Sequence, residues 1–237
     1  MAYRTILVSL NELNRLPQLL SAVATIARNF NAHVSGLYVI PAVQLYPSMG
    51  FEAVPQVFDG NQTYFKDNQE KVRAAFEEAM RKEGLNSDFH VVQGATSSIA
   101  EEVVNKGRSA DLLIISATNP DETTGVESDF VEQTLMAAGR PIMVLPFKGE
   151  TKLNLDDVVL GWNGDREAAR AAFDALPFLK AAKKVRIVRT DPQKDPSLKG
   201  SIAGADLAET LARHGVKVEA ASFPTAGDDA GHALLRC

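Results

Sequence analysis

The alternation of short apolar strands and amphipathic helices that starts at Tyr3 starts again at Asp157, and this internal repeat restricts the fold more than any other feature of the chain. In the first copy, Tyr3 to Leu10 (YRTILVSL) is a β-branched and aliphatic run of the kind buried in a sheet. Leu16, Leu19, Leu20, Val23, Ile26 and Ala27 then recur at helical spacing between Leu16 and Phe30. His33 to Ile40 (HVSGLYVI) reads as a second strand, ended by Pro41. Residues 41–61 are rich in proline, glycine and aromatics without a period, and read as a long loop whose Tyr46, Phe51 and Phe58 either line or cover a crevice or pack within the loop itself. Thr63 to Glu83 reads as a helix stopped by Gly84. Strands Asp88–Gln93, Asp111–Ser116 (DLLIIS) and Pro141–Pro146 (PIMVLP) follow, separated by helices over Ser97–Lys106 and Ser128–Ala138.

Strands that are apolar along their whole length have no solvent face, so they belong to a parallel sheet covered on both sides by the intervening helices. Right-handed crossovers make this a doubly wound, Rossmann-like α/β sandwich, for which 3-2-1-4-5 and 2-1-3-4-5 are the common five-strand orders. Periodicity does not choose between them. The second copy repeats a strand at Asp157–Trp162, a helix at Arg166–Leu179, a strand at Val185–Thr190, a helix at Ile202–His214 and a strand at Val216–Phe223. A third helix begins near Asp228. The reading is therefore a domain over 1–147, a linker ending at residue 155, and a second domain over 156–237 that lacks the last strands of the first.

Composition narrows the function. Of 237 residues, 45% are hydrophobic and 23% charged, as in ordinary globular proteins. A net charge of −5, with Lys183, Lys184 and Arg186 as the densest basic cluster, gives no face for nucleic acid. Cys237 is the only cysteine, which excludes a disulfide framework or cysteine-rich zinc site. No apolar run reaches the ~18–20 residues that span a bilayer, and Met1 to Arg4 leads straight into a strand, so a cytoplasmic location without membrane partners is expected.

The opening Ile6-Leu7-Val8-Ser9-Leu10-Asn11 and its repeat Val158-Val159-Leu160-Gly161-Trp162-Asn163, followed by Gly164-Asp165-Arg166-Glu167-Ala168-Ala169, resemble the universal stress protein family at the starts of its tandem domains. The resemblance covers essentially the whole chain and implies strand order 3-2-1-4-5. It also implies a ligand crevice near the first strand's end, where the family normally carries an aspartate near the adenine of bound ATP. The residues of this chain matching that crevice are Leu10, Asn11, Val39, Thr118, Ser128 and, in the second copy, Asn163. The reading weighed against a ligand role for Asn11 and Asn163 is that each caps or turns into the following helix.

Nucleotide-binding members of that family carry G, two residues, G, nine residues, then G with Ser or Thr, after the fourth strand. Glycines there let the backbone approach a triphosphate, and amides at a helix start meet its charge. In this chain those positions hold Ile115, Thr118, Ser128 and Asp129, while Leu135, Pro141 and Val144 keep the register. The spacing survives and every glycine is gone. Ile115 and Thr118 are β-branched and resist positive φ. Asp129, with Asp121, Glu122 and Glu127, adds like charge beside a phosphate, at a cost on the order of 1–4 kcal/mol per close pair. No cofactor is expected, and ATP or AMP is disfavoured in the first domain.

The remaining motifs are structural on this reading. Ser97-Ser98 before Glu101-Glu102 is a capping box, not a nucleophile with its base. Gly161-Trp162-Asn163-Gly164 lacks the third glycine and the spacing of a dinucleotide fingerprint. His33, His90, His214 and His232 form no ligand cluster, with packing or single hydrogen bonds for the first two. Ser9-Leu10-Asn11-Glu12 departs from the Ser-Gly-Gly-x-Asp-Ser loop of ATP-splitting adenylating enzymes. The expectation is a non-enzymatic stress-response or regulatory module that works by binding a small ligand or pairing as a homodimer through sheet edges at Ile142–Leu145. The alternative is a nucleotide-binding protein that uses a complete second domain, reached if the natural chain continues past Cys237.

Overall fold

The computed structural model describes residues 2–42, 55–94, 98–119, 121, 125–149, 153–190, 204–225, 227 and 229–236, with the backbone alone over 55–61. The chain divides into two compact units, Ala2–Leu153 and Asn154–Cys237.

The first unit contains five strands: β1 (Thr5–Ser9), β2 (His33–Ile40), β3 (Ser87–Gln93), β4 (Leu112–Ser116) and β5 (Ile142–Leu145). Helices α1 (Leu16–Phe30), α2 (Pro55–Lys82), α3 (Ile99–Gly107) and α4 (Phe130–Ala137) alternate with them. All strand pairs are parallel, in the order β3-β2-β1-β4-β5. This decides between the two orders that periodicity leaves open. Burial follows from that order. β1 and β4 lie inside the sheet with helices on both faces, and Ile6, Val8, Leu113, Ile114 and Ile115 are fully buried.

Close packing fixes individual residues. A Cβ on Gly36 of β2 would sit 2.9 Å from two ring atoms of Phe76 of α2, so glycine there lets helix and strand approach. Gly84 takes φ +65° after α2, the left-handed stop expected of it. Ser98 accepts from the Glu101 amide at 3.2 Å and caps α3.

Two expectations are corrected. The loop over 41–61 gives way to helix at Pro55, so α2 is more than a turn longer than its apolar period suggests. Proline at a first helical position starts a helix well, because its missing N–H has no partner there in any case. Tyr46 and Phe51 lie outside the described residues, as does the side chain of Phe58. In the second unit, the single helix over Arg166–Leu179 is instead α5 (Arg166–Asp174) and α6 (Leu176–Ala181), broken at Ala175. Pro177 enforces the break, since it cannot donate to the carbonyl four residues back and its ring crowds that carbonyl.

The second unit continues with β6 (Asp157–Gly161), β7 (Lys184–Thr190), α7 (Ala205–Arg213), β8 (Val218–Phe223) and α8 (Ala230–Leu235). Its parallel sheet runs β6-β7-β8, matching the β1-β2-β3 half of the first. Leu160, Ala172, Leu179, Val185, Ile187 and Leu211 form its core. The repeat extends to single hydrogen bonds. The Leu10 amide donates to the Leu37 carbonyl at 2.9 Å, and the Trp162 amide to the Val188 carbonyl at 2.9 Å.

Candidate functional site

In the first unit the chain leaves β1 toward β2 on one side, while β4 lies on the other. This order puts a topological switch point at the carboxyl ends of β1 and β4, the crevice position where doubly wound sheets bind their ligands. Leu10 and Asn11 directly follow β1, Val39 is the last residue but one of β2, and Thr118 lies two residues past β4.

Asn11 is buried at 1% exposure and holds Val39 twice. Its Nδ2 donates to the Val39 carbonyl at 2.6 Å, and the Val39 amide donates to its Oδ1 at 3.0 Å. A side-chain amide carries the same donor and acceptor as a peptide group, so Asn11 extends the β1–β2 ladder one step beyond the Leu10–Leu37 bond. It does not cap a helix: the following 3₁₀ turn (Leu13–Arg15) has Glu12 at its N-cap position, and α1 has Arg15. That corrects the capping reading of Asn11. Leu10 is fully buried beside Gly36.

Arg15 reaches from that turn to the chain leaving β5, its Nη2 donating to the carbonyls of Pro146 at 3.2 Å and Gly149 at 3.3 Å. Its Nε is buried with no hydrogen-bond partner among the described residues. Nothing in the sequence singles this arginine out, because its acceptors are backbone oxygens far along the chain.

On the β4 side, Ile115 stands fully buried inside the strand, where a glycine would open a turn. The Thr118 hydroxyl donates to the Ser128 carbonyl at 3.4 Å, which brings these two predicted positions together. Asp129 precedes α4 without capping it, and its Oδ2 accepts from Gln133 Nε2 at 2.7 Å. Glu127 has a role that charge counting misses. Its Oε1 accepts from the amide of Ile99, the first residue of α3, at 2.5 Å. A helix start is a natural anion site, and here a carboxylate of the same unit fills it. Glu127 Oε2 is buried without a hydrogen-bond partner among the described residues. Burial pushes the carboxyl above its usual range and the charge of Asp129 adds to this, against hydrogen bonds from its own backbone, Ile99 and Ser98.

Asn163 occupies the Asn11 position of the second unit but behaves differently. It is exposed, its Oδ1 accepts from the Asp165 amide at 2.9 Å, and its Nδ2 donates to Asp165 Oδ2 at 2.7 Å. This is an Asx turn leading into α5.

Two of the histidines make polar contacts of the kind expected, but to a shared partner. His33 and His90 converge on one carboxylate, with Nε2 atoms 3.1 and 3.2 Å from the two oxygens of Asp88, and the Ser35 hydroxyl donates to the same group. Ser35 and Asp88 are register partners on β2 and β3, a pairing invisible before the strand order is known. Burial raises the Asp88 carboxyl, but hydrogen bonds from Ser35 and His33 and the nearby histidine charges outweigh it and hold the group below its usual range. Among the described residues, no group of three or more His, Cys, Asp or Glu is arranged to hold a metal ion, and no helix is long and apolar enough to cross a membrane.

No family model matches the chain, and no curated protein matches it either. Solved structures do. A universal stress protein from Archaeoglobus fulgidus DSM 4304 aligns over 98% of this chain and 81% of its own, at 12% identity and a TM-score of 0.66. A protein of the universal stress protein family from Burkholderia pseudomallei covers 61% of this chain and 96% of its own, at 19% identity and a TM-score of 0.45. The universal stress protein UspA from Lactobacillus plantarum covers 61% and 99%, at 16% identity and a TM-score of 0.44. The first alignment carries the assignment: the fold, over both units, is that of a universal stress protein.

Proposed function

We propose that this chain is a universal stress protein-like regulatory module without enzymatic activity, whose first-unit crevice does not serve as a conventional ATP site. One observation carries the reading. Backbone groups at two places beside the crevice are already engaged by side chains of the same unit, Val39 by Asn11 and the Ile99 amide at the α3 start by Glu127. A nucleotide would have to displace a two-bond amide clamp at one end and a carboxylate at the other. It would also need a glycine-free loop to approach its phosphates.

The module acts through binding or pairing rather than turnover. β5 is a sheet edge with Ile142, Met143 and Val144 half-buried, and α4, which leads into it, exposes Leu135 at 52% and Met136 at 88%. An apolar edge strand of this kind pairs with another copy about a two-fold axis. Equilibrium dialysis of the intact chain against labelled ATP with Mg²⁺ tests the nucleotide half of the proposal. Retention no greater than for an unrelated protein is expected. Stoichiometric retention at low micromolar ligand overturns it.

A further inference from the structure

Helices α1 and α2 do not close against one another along their full contact. α1 lines the seam with Pro17 over a buried floor of Leu16, Leu20 and Ala24, and the apolar residues that α2 sets opposite are Ala75 and Ala79, flanked by Glu78, Lys82 and Glu83. The shortfall leaves a groove of about 380 Å³, within the range of small-molecule sites. Its walls run from Leu16 to Ala24 and from Ala75 to Glu83, each about 12 Å at ~1.5 Å per helical residue. That is the length of an extended alkyl chain of medium size, and larger than a single ring requires.

Charge on the rim gives the occupant its sign. Glu78 is paired with Arg81, and Glu83 with Arg28 at 2.6 Å, so both rim carboxylates are neutralised. Lys82 lines the same groove, is exposed, and has no ion-pair partner among the described residues. A ligand matching this surface has an apolar tail and one negative head. A cationic head would meet Lys82, and an uncharged chain would leave it unanswered.

We propose that the α1–α2 groove binds a single-chain alkyl carboxylate, its tail along Leu16, Leu20, Ala24, Ala75 and Ala79 and its head at Lys82 Nζ. The proposal stands apart from the crevice and does not depend on the nucleotide reading.

Calorimetry of the intact chain with decanoate, held below its micelle-forming concentration, tests it. One saturable site is expected. Lys82→Glu weakens it about tenfold by replacing attraction with repulsion. Ala79→Leu fills the groove and removes the site, and decyltrimethylammonium binds Lys82→Glu but not the unmodified chain. Methyl resonances of Leu16 and Leu20 shift with decanoate in step with the heat. The proposal fails if decanoate gives no saturable heat, if the cationic amphiphile binds the unmodified chain equally well, or if those methyls stay still. It fails also if Ala79→Leu abolishes self-association of the chain, which would make a second copy the occupant.

Discussion

The side-chain amide of Asn11 holds Val39 by both of its backbone groups, donating to the carbonyl at 2.6 Å and accepting from the amide at 3.0 Å. A carboxylate in that place accepts but cannot donate, so the identity of the residue, and not merely its polarity, decides the geometry. Asn11→Ala leaves two buried backbone groups unsatisfied and costs about 1–3 kcal/mol of folding stability. Asn11→Asp keeps one bond, sets oxygen against oxygen at Val39, and regains stability in acid as protonation restores a donor. Urea denaturation at neutral and acidic pH checks both. An Asn11→Ala chain as stable as the parent contradicts the clamp.

Glu127 makes a second, pH-dependent prediction. Its folded carboxyl titrates above the unfolded one, so the folded state binds more protons between those two values and stability falls as pH rises through that window. Glu127→Gln keeps an acceptor for the Ile99 amide and removes the ionisation. Relative to the parent it is stabilised at neutral pH, and the advantage shrinks to nothing below the unfolded carboxyl's range. Thermal melts across the acid range measure the crossing.

Asp88 behaves in the opposite sense. Its folded carboxyl titrates below the unfolded one, so its contribution is present above the unfolded value and is lost as pH falls through the folded value. Asp88→Asn flattens that acid limb and releases His33 and His90, which histidine ring resonances report.

Much of the fold is legible in the sequence because burial on both faces leaves β1 and β4 apolar throughout, and because the repeat states the architecture twice. Helix limits were less legible. Pro55 starts α2 within a stretch whose mixed proline, glycine, polar and aromatic residues show no period, and Pro177 divides α5 from α6 where the apolar spacing continues without interruption. In the crevice, the loss of glycines is plain to read, but what replaces them is not. Glu127 counts as repulsive charge until α3 is placed beside it, and Asn11 and Val39 are 28 residues apart until β1 and β2 pair. The convergence of His33, Ser35, Asp88 and His90 likewise depends on the β2–β3 register.

Gly36 tests the packing of the sheet against α2. Its substitution by alanine drives a methyl to within 2.9 Å of the Phe76 ring, an overpacking that costs about 1–3 kcal/mol. The double variant Gly36→Ala with Phe76→Leu recovers part of this loss, because the two changes act on one contact. Denaturant midpoints of the two single variants and the double variant give the coupling.

The β5 edge predicts a self-associated chain. Light scattering coupled to size exclusion gives a dimer at tens of micromolar, and Met143→Lys, which places a charge on the exposed edge, gives a monomer. A parent chain that stays monomeric removes the pairing half of the proposed function.

Val39 and the start of α3 are held from within the unit by Asn11 and Glu127, and the amide resonances of Val39 and Ile99 report on both contacts directly. In a nitrogen–proton correlation spectrum of the intact chain titrated with Mg-ATP, both resonances are expected to stay in place up to millimolar nucleotide. Saturable displacement of both, with a dissociation constant in the low micromolar range, would show instead that ATP displaces Asn11 and Glu127 and occupies the crevice.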